Sequence, residues 1–320
     1  MEFNPFELPL LPLPIEFVLD FVALFLSAEL ISLSAEGLAN RLGKGFTGGI
    51  IVGLATALPE TIFVLIATLA NKPDIAIGSA LGANVVLFTF GIGMVGILHI
   101  LKWKKPGVIT GEYKIEERHL LISNIALIIL YLIGILNPIT GVPIFVIYFL
   151  YVWERYKEYK KFLTENEVEQ VSMPKYITFL LIGTLLIVIF GHRFVYTIED
   201  MGHALGVDPA LISLLISPIA AELGEKISAF RLVLHSPENF TLSLLSFIGS
   251  KIENMTILIG IIGMFNFEGV MVREYPKEFI SAIMTTFLAL YVLYDRKMRL
   301  IESVVVTLLY FIIVFLLLIL

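Results

Sequence analysis

The stretch Gly53–Glu60 reads Gly-Leu-Ala-Thr-Ala-Leu-Pro-Glu, and a related stretch, Pro218–Glu225, reads Pro-Ile-Ala-Ala-Glu-Leu-Gly-Glu. Each ends on a glutamate within a segment apolar enough to cross a membrane. An ionised carboxylate in the bilayer interior is costly unless a partner or water satisfies it, so such acids are functional candidates by default. Two of them in related segments indicate an ion site.

The composition predicts the class of protein. Hydrophobic residues make up 58% of the chain and charged residues only 16%. The apolar runs are continuous rather than alternating, and they exceed the length of about 18 residues at which a run is a candidate membrane-spanning helix. We therefore expect an all-α polytopic membrane protein. Because the chain has no cysteine, disulfides and thiolate metal sites are excluded.

A hydropathy window of about 20 residues predicts ten transmembrane helices. Basic residues then predict their orientation, because cytoplasmic loops are enriched in Lys and Arg. With the amino terminus outside, inward loops carry sixteen basic residues and outward loops three. We expect a multi-pass protein of the cell membrane with both termini outside the cytoplasm. The predicted spans lie near 14–39, 46–70, 75–100, 118–136, 139–155, 176–199, 207–234, 240–264, 277–294 and 299–320.

The chain divides into two halves at a polar stretch after residue 154. Five helices per half place the halves in opposite orientations, the inverted-repeat plan of many secondary transporters. The sequence therefore predicts a first repeat at 1–155, a cytoplasmic linker at 156–175 and a second repeat at 176–320. The related motifs fall at about 46–90 and 212–260.

These motifs resemble the two alpha repeats of the calcium/cation antiporter superfamily, which includes the sodium/calcium exchangers. The resemblance rests on Ala57-Leu-Pro-Glu60, on Gly78-Ser-Ala-Leu-Gly82 and on their second-half counterparts. It implies an antiporter in which each repeat supplies one glutamate and several hydroxyl or amide oxygens to mid-membrane cation sites. Glu60 and Glu225 are then the paired acids, and the other candidate ligands are Thr56, Asn84, Glu222, Ser250 and Asn254.

The chemistry of calcium fits such a set, because calcium takes about 6–8 oxygen ligands and two carboxylates neutralise its charge. Pro59 and Gly224 directly precede the two glutamates. They fit a helix that is locally opened at that point, where freed carbonyls line an ion site, although an ordinary proline kink is the alternative.

The sequence departs from the family pattern most clearly on the helix after the first glutamate. Ala83 and Leu87 stand where the family has a serine and, four residues later, an amide or acid. Ser250 and Asn254 keep that pattern in the second repeat, on one helix face. Asn84 is rotated by about 100° from the expected face, unless the register shifts by one residue.

The second repeat carries added charges at Glu222, Lys226, Lys251 and Glu253. Glu222 and Lys226 are four residues apart, which favours an ion pair on a helix. Alternatively, Lys226 or Lys251 is a tethered cation that occupies the place of a sodium ion, and transport then does not depend on sodium.

Polar groups elsewhere are expected to be paired or to line access paths. Intramembrane basic groups usually pair, so we expect His192 and Arg193 to line a polar path or to pair with Glu199 or Asp200. Asp20 on the first span is a candidate for an access path.

The sequence predicts calcium export coupled to sodium entry, with a proton/calcium or other sodium-independent antiporter as the alternative. A cation channel or a transport-impaired homologue is a more distant alternative. The chain lacks the His-Glu-x-x-His, Gly-x-Ser-x-Gly and phosphate-loop patterns of enzymes. We expect small inorganic cations and the lipid bilayer as partners, calcium and sodium or protons as transported ions, no cofactor and no nucleic acid.

Overall fold

The computed structural model describes residues 11–42, 46–110, 113–160 and 173–319. Nearly all of these residues are helical, as the continuous apolar runs predict. Short two-residue strands, β1 to β4, occupy loops at Gly107–Val108, Ile135–Leu136, Val270–Met271 and Lys297–Met298. The helices are α1 (Leu13–Leu42), α2 (Phe46–Leu69), α3 (Pro73–Val86), α4 (Ile92–Trp103), α5 (Lys114–Ile133), α6 (Pro138–Lys160), α7 (Met173–Leu205), α8 (Pro209–His235), α9 (Phe240–Glu253), α10 (Ile259–Phe265), α11 (Pro276–Asp295) and α12 (Leu300–Ile319).

Each predicted span coincides with a helical segment. Within the described residues, five helical segments are both long and apolar enough to cross a membrane. The arrangement of ten crossings as two inverted repeats stays a prediction. The five segments are Pro73–Trp103, Pro174–Leu205, Pro237–Phe265, Pro276–Asp295 and Leu300–Ile319.

Two of the long helices contain a π turn at related places. The first, Leu87–Gly91, joins α3 to α4, and the second, Asn254–Leu258, joins α9 to α10. A threonine lies in each turn and donates its hydroxyl to the carbonyl four residues earlier, Thr89 to Val85 and Thr256 to Ile252. Such back-bonding bends helices, and π turns are frequent at functional sites.

The chain forms two compact units, and each of them draws on both halves of the sequence. Unit 1 comprises Met1–Ser79 and Tyr156–Gly224, and unit 2 comprises Ala80–Arg155 and Glu225–Leu320. The unit boundaries fall within α3, α6 and α8. The compact units therefore differ from the predicted sequence repeats, whose division at the linker stays a prediction.

Strand pairing in unit 2 has an internal symmetry. Strand β1, in the loop before α5, pairs antiparallel with β4, in the loop before α12. Strand β2, in the loop before α6, pairs antiparallel with β3, in the loop before α11. Exchanging the two halves of the sequence converts one pair into the other. This pairing supports an internal repeat within unit 2.

Close helix contacts in unit 2 follow the same symmetry. Gly93 and Gly96 of α4 pack against α12, where a Cβ on Gly93 would lie 2.7 Å from the backbone nitrogen of Thr307. Gly260 and Gly263 of α10 pack against α6, where a Cβ on Gly263 would lie 2.8 Å from the Cα of Gly141. Small residues let transmembrane helices approach closely. A Gly-x-x-Gly spacing thus serves the same purpose in both halves.

In unit 1, α1 packs against α7 and α2, and α2 packs against α7. The ring of Phe194 lies fully buried among the rings of Phe17, Phe21 and Phe63, with centroids 5.5, 6.4 and 5.9 Å away. Aromatic pairs at such separations stabilise the fold by more than the burial of their surface area alone. This cluster holds α2, which carries Glu60, against α1 and α7.

Candidate cation site

Glu60 is buried in unit 1. Its side chain is 2% exposed, and Pro59 beside it is also buried. Helix α2 continues from Phe46 to Leu69 through the proline, so the predicted local opening is not a break in the helix. Proline has no N–H, however, and leaves the carbonyl one turn earlier without its helical donor. Helix α8 likewise continues from Pro209 to His235 through Gly224, so the opening predicted there is not a break in the helix either.

Three of the predicted ligands lie outside the described side chains: Thr56, Glu222 and Glu225. Their role, the pairing of Glu60 with Glu225 and the ion pair between Glu222 and Lys226 stay predictions. Among the side chains that the structure describes, no group of three His, Asp or Glu residues is arranged to hold a metal ion.

Asn84 is fully buried in α3, and both side-chain polar atoms lack a hydrogen-bond partner among the described residues. Buried polar side chains are nearly always hydrogen-bonded, so an unsatisfied amide calls for a ligand, an ion or water. Helix α3 is regular to Val86, and the π turn begins only at Leu87. The register shift that would rotate Asn84 towards the expected face therefore does not occur within α3.

The second-half counterparts lie at the end of α9. Asn254 is buried at the first position of the π turn, and Ser250 is half-buried one turn earlier. Spacing of four residues places both on one face of the helix. The structure thus keeps these two predicted ligands together, on the helix that corresponds to α3.

Glu253 directly precedes Asn254 and is also buried. Its carboxylate oxygen Oε2 accepts a hydrogen bond from the hydroxyl of Tyr148 on α6, at 3.1 Å. Sequence analysis identified Glu253 as an added charge but missed Tyr148. No motif or spacing connects residues 105 positions apart, so the sequence holds no signal for this contact.

Three polar side chains of α6 form a column in unit 2 that begins at Tyr148, the partner of Glu253. Tyr148, Tyr151 and Arg155 share one face, and the rings of the two tyrosines lie 5.9 Å apart. The guanidinium Nε of Arg155 lies 3.0 Å from Oε1 of the buried Glu116 on α5. Buried polar groups such as Glu116 are costly unless they are paired, and Arg155 supplies the partner here. The column links the end of α9 to the end of α6.

Two lysines of the second repeat are buried as well. Lys226 on α8 is 3% exposed and Lys251 on α9 is 0% exposed. Burying an ammonium group costs several kcal/mol unless carboxylates or other oxygens compensate it. Lys251 directly follows Ser250 and lies two residues before Glu253, so its charge belongs to the segment that holds the predicted ligands Ser250 and Asn254.

The prediction that Arg193 pairs with Glu199 or Asp200 is wrong. Arg193 forms ion pairs with Glu16 and Asp20 on α1. Glu199 instead pairs with Lys72, at 2.5 Å. The sequence analysis considered acids close to Arg193 in the chain, but the packing of α1 against α7 brings the α1 acids closer.

A model of the sodium/calcium exchanger protein family matches residues 13–157 and 175–319. The fold is similar to the crystal structure of the H⁺/Ca²⁺ exchanger CAX, with a TM-score of 0.80 and 20% identity over 96% of this chain and 85% of that chain. It is also similar to the sodium-calcium exchanger NCX_Mj, with a TM-score of 0.62 and 19% identity over 94% of this chain and 97% of that chain. A comparison with curated proteins gives no match. At these identities the likeness shows the fold alone.

Proposed function

Because this chain belongs to the sodium/calcium exchanger protein family, we propose that it is a secondary antiporter that exports calcium in exchange for sodium. The family consists of transporters rather than enzymes. The observation that carries the proposal is the carboxylate of Glu60, buried in the interior of α2 directly after a proline. Intramembrane acids mark ion paths, and Glu60 stands where the family resemblance expects a ligand.

In the proposed mechanism, Glu60 and Glu225 bind calcium when the site faces one side of the membrane. The same carboxylates hold sodium or protons when the site faces the other side. Calcium binding requires ionised carboxylates, so protonation of a carboxylate lowers the affinity of the site for calcium. Sodium bound at the same oxygens has the same effect. The two ions thereby compete for one set of oxygens, and this competition couples their fluxes. Asn84, Ser250 and Asn254 supply neutral oxygens in this proposal.

A second candidate is sodium-independent exchange of calcium against protons. The complete burial of Lys251, with that of Lys226, favours it. An ammonium group at the place of a sodium ion would supply one positive charge permanently, and sodium would no longer be needed. The two candidates differ in the coupling ion and share Glu60 and Glu225.

The test is calcium flux into proteoliposomes under sodium and proton gradients imposed separately. The primary proposal predicts saturable calcium uptake that an outward sodium gradient drives. The second candidate predicts uptake driven by a proton gradient and unaffected by sodium. Passive flux that is insensitive to either opposing gradient would indicate a channel and contradict both. We further propose a multi-pass orientation with both termini outside the cytoplasm, which labelling of residues added to each terminus would test.

A further inference from the structure

A buried ionic cluster joins α1 to α7 within unit 1. Glu16 and Asp20 are four residues apart on one face of α1. Arg193 of α7 forms an ion pair through Nη2 with Oε1 of Glu16, and its Nε lies 3.5 Å from Oδ1 of Asp20. Thr197, one turn further along α7, donates its hydroxyl to Oδ2 of Asp20 at 3.0 Å. Exposure is 6% for Glu16 and 2% for Asp20, so both acids are removed from water.

The charges of this cluster do not balance if both acids are ionised. Two carboxylates meet one guanidinium, and no other Lys, Arg or His among the described residues lies within 4.0 Å of either acid. Oε2 of Glu16 is buried and has no hydrogen-bond partner in the described part of the chain. A buried charge without compensation is costly. Two like charges held at one site are relieved when the pair keeps one proton.

A metal ion is a poor candidate for the missing charge, because Arg193 already contacts both carboxylates and would repel a second cation. A proton adds one positive charge without displacing the guanidinium. We propose that Glu16 and Asp20 together bind one proton beside Arg193. The α1–α7 contact is then a proton-binding site that is distinct from Glu60 and Glu225.

Other titratable groups on the packed helices have other neighbours. On α7, the ring of His192 packs against Tyr196 with centroids 5.4 Å apart, and Glu199 pairs with Lys72. On α1, Glu29 lies more than two turns beyond Asp20. Among the described side chains of α2, the one titratable residue is Glu60. The proton is therefore assigned to Glu16 and Asp20, because both carboxylates contact the guanidinium of Arg193.

Proton binding at this contact links the packing of α1 against α7 to pH. The folded state holds a proton that the unfolded state releases near neutral pH, so folding stability falls as pH rises through the release. The proposal does not rest on the proposed function, and its failure would leave calcium exchange untouched.

Infrared spectroscopy of the purified full-length protein tests the proposal. A protonated carboxyl group has a carbonyl stretching band that an ionised carboxylate lacks. Glu16→Gln and Asp20→Asn each leave one carboxylate for one guanidinium, so each variant is expected to lose band intensity equal to one carboxyl group at neutral pH. Glu238→Gln and Asp295→Asn are matched controls at exposed positions and should leave the band unchanged. An unchanged band in both cluster variants would overturn the proposal.

Thermal unfolding as a function of pH provides a second readout. The melting temperature of the wild type is expected to fall with rising pH more steeply than that of Glu16→Gln, because the variant has no shared proton to lose. Equal slopes would contradict the proposal. If Asp20→Asn does not fold because the Thr197 hydrogen bond is disturbed, Glu16→Gln decides both measurements alone.

Discussion

The hydroxyl of Tyr148 donates a hydrogen bond to Oε2 of Glu253, and this contact joins α6 to α9 at the residue before the second π turn. Both side chains are buried. The bond fixes a carboxylate next to Asn254, which is a predicted calcium ligand. The position of the second-repeat ligands thus depends on α6, a helix that carries no predicted ligand.

Replacing Tyr148 with phenylalanine removes the hydroxyl and keeps the ring. A buried carboxylate then loses a donor, which costs about 1–3 kcal/mol. We expect the free energy of unfolding to fall by that amount and the apparent calcium affinity to fall as well. Equilibrium unfolding and calcium-binding titration measure the two effects. Tyr310→Phe on α12 is a matched control, because its ring packs against Phe90 and Phe311, and it should change calcium binding little. Equal effects of both variants would contradict the account.

The pair formed by Arg155 and Glu116 predicts an asymmetry between two substitutions. Arg155 is partly exposed, whereas Glu116 is 1% exposed. Arg155→Gln removes a partner from a buried charge, while Glu116→Gln removes the buried charge itself. Removing the partner of a buried charge leaves that charge uncompensated, and this destabilises the fold more than removing the buried charge itself. Arg155→Gln should therefore lower the unfolding temperature more than Glu116→Gln, and the reverse order would show that Glu116 is not ionised.

Alanine at Gly93 or Gly263 should destabilise unit 2 by a similar amount. A new Cβ at either position meets backbone atoms, at 2.7 Å from Thr307 N and 2.8 Å from Gly141 Cα. Overpacking of this kind typically costs about 1–3 kcal/mol. Gly191→Ala is the control, because the nearest atom to its Cβ would be at 3.4 Å, an ordinary contact distance. Thermal unfolding of the three variants checks the prediction, which fails if Gly191→Ala is the least stable.

Asn84→Leu separates a ligand role from a structural role. The amide has no hydrogen-bond partner among the described residues, so its removal should leave stability unchanged or raise it by about 1–3 kcal/mol. If Asn84 contributes an oxygen to calcium, the same variant should show an apparent KM for calcium that is several-fold higher. Flux assays measure the apparent KM for calcium and thermal unfolding measures stability, and both are made on one preparation of the variant. A less stable variant with unchanged transport would assign Asn84 to packing.

The positions of the helices could be predicted because hydropathy reports directly on which segments leave water. Glu60 and Glu225 were chosen as candidates for a similar reason, because both interrupt apolar runs, and their pairing stays a prediction. Unit 2 strand pairing and the two Gly-x-x-Gly contacts support the internal repeat that the motifs indicated. These features depend on local composition or on similarity between segments, and a single sequence contains both.

Tertiary pairings could not be predicted in the same way. Arg193 pairs with Glu16 and Asp20, 177 and 173 positions away, whereas the expected partners were Glu199 or Asp200, which are close to it in the chain. Tyr148 contacts Glu253, which is 105 positions away in the sequence. Such contacts depend on which helix faces pack together, and the weak amphipathicity of membrane helices gives little information on this. The sequence also could not show that compact units combine helices of both halves.

Calcium exchange by Glu60→Gln and Glu225→Gln variants tests the central claim most directly. Glutamine keeps the size of each side chain and removes the charge that calcium requires. Each purified variant, with Glu238→Gln as an exposed control, would be reconstituted in proteoliposomes and assayed for calcium uptake under the gradient that drives the wild type. The account predicts that exchange is abolished in both variants while folding and the control remain normal. Exchange retained in both variants would contradict it.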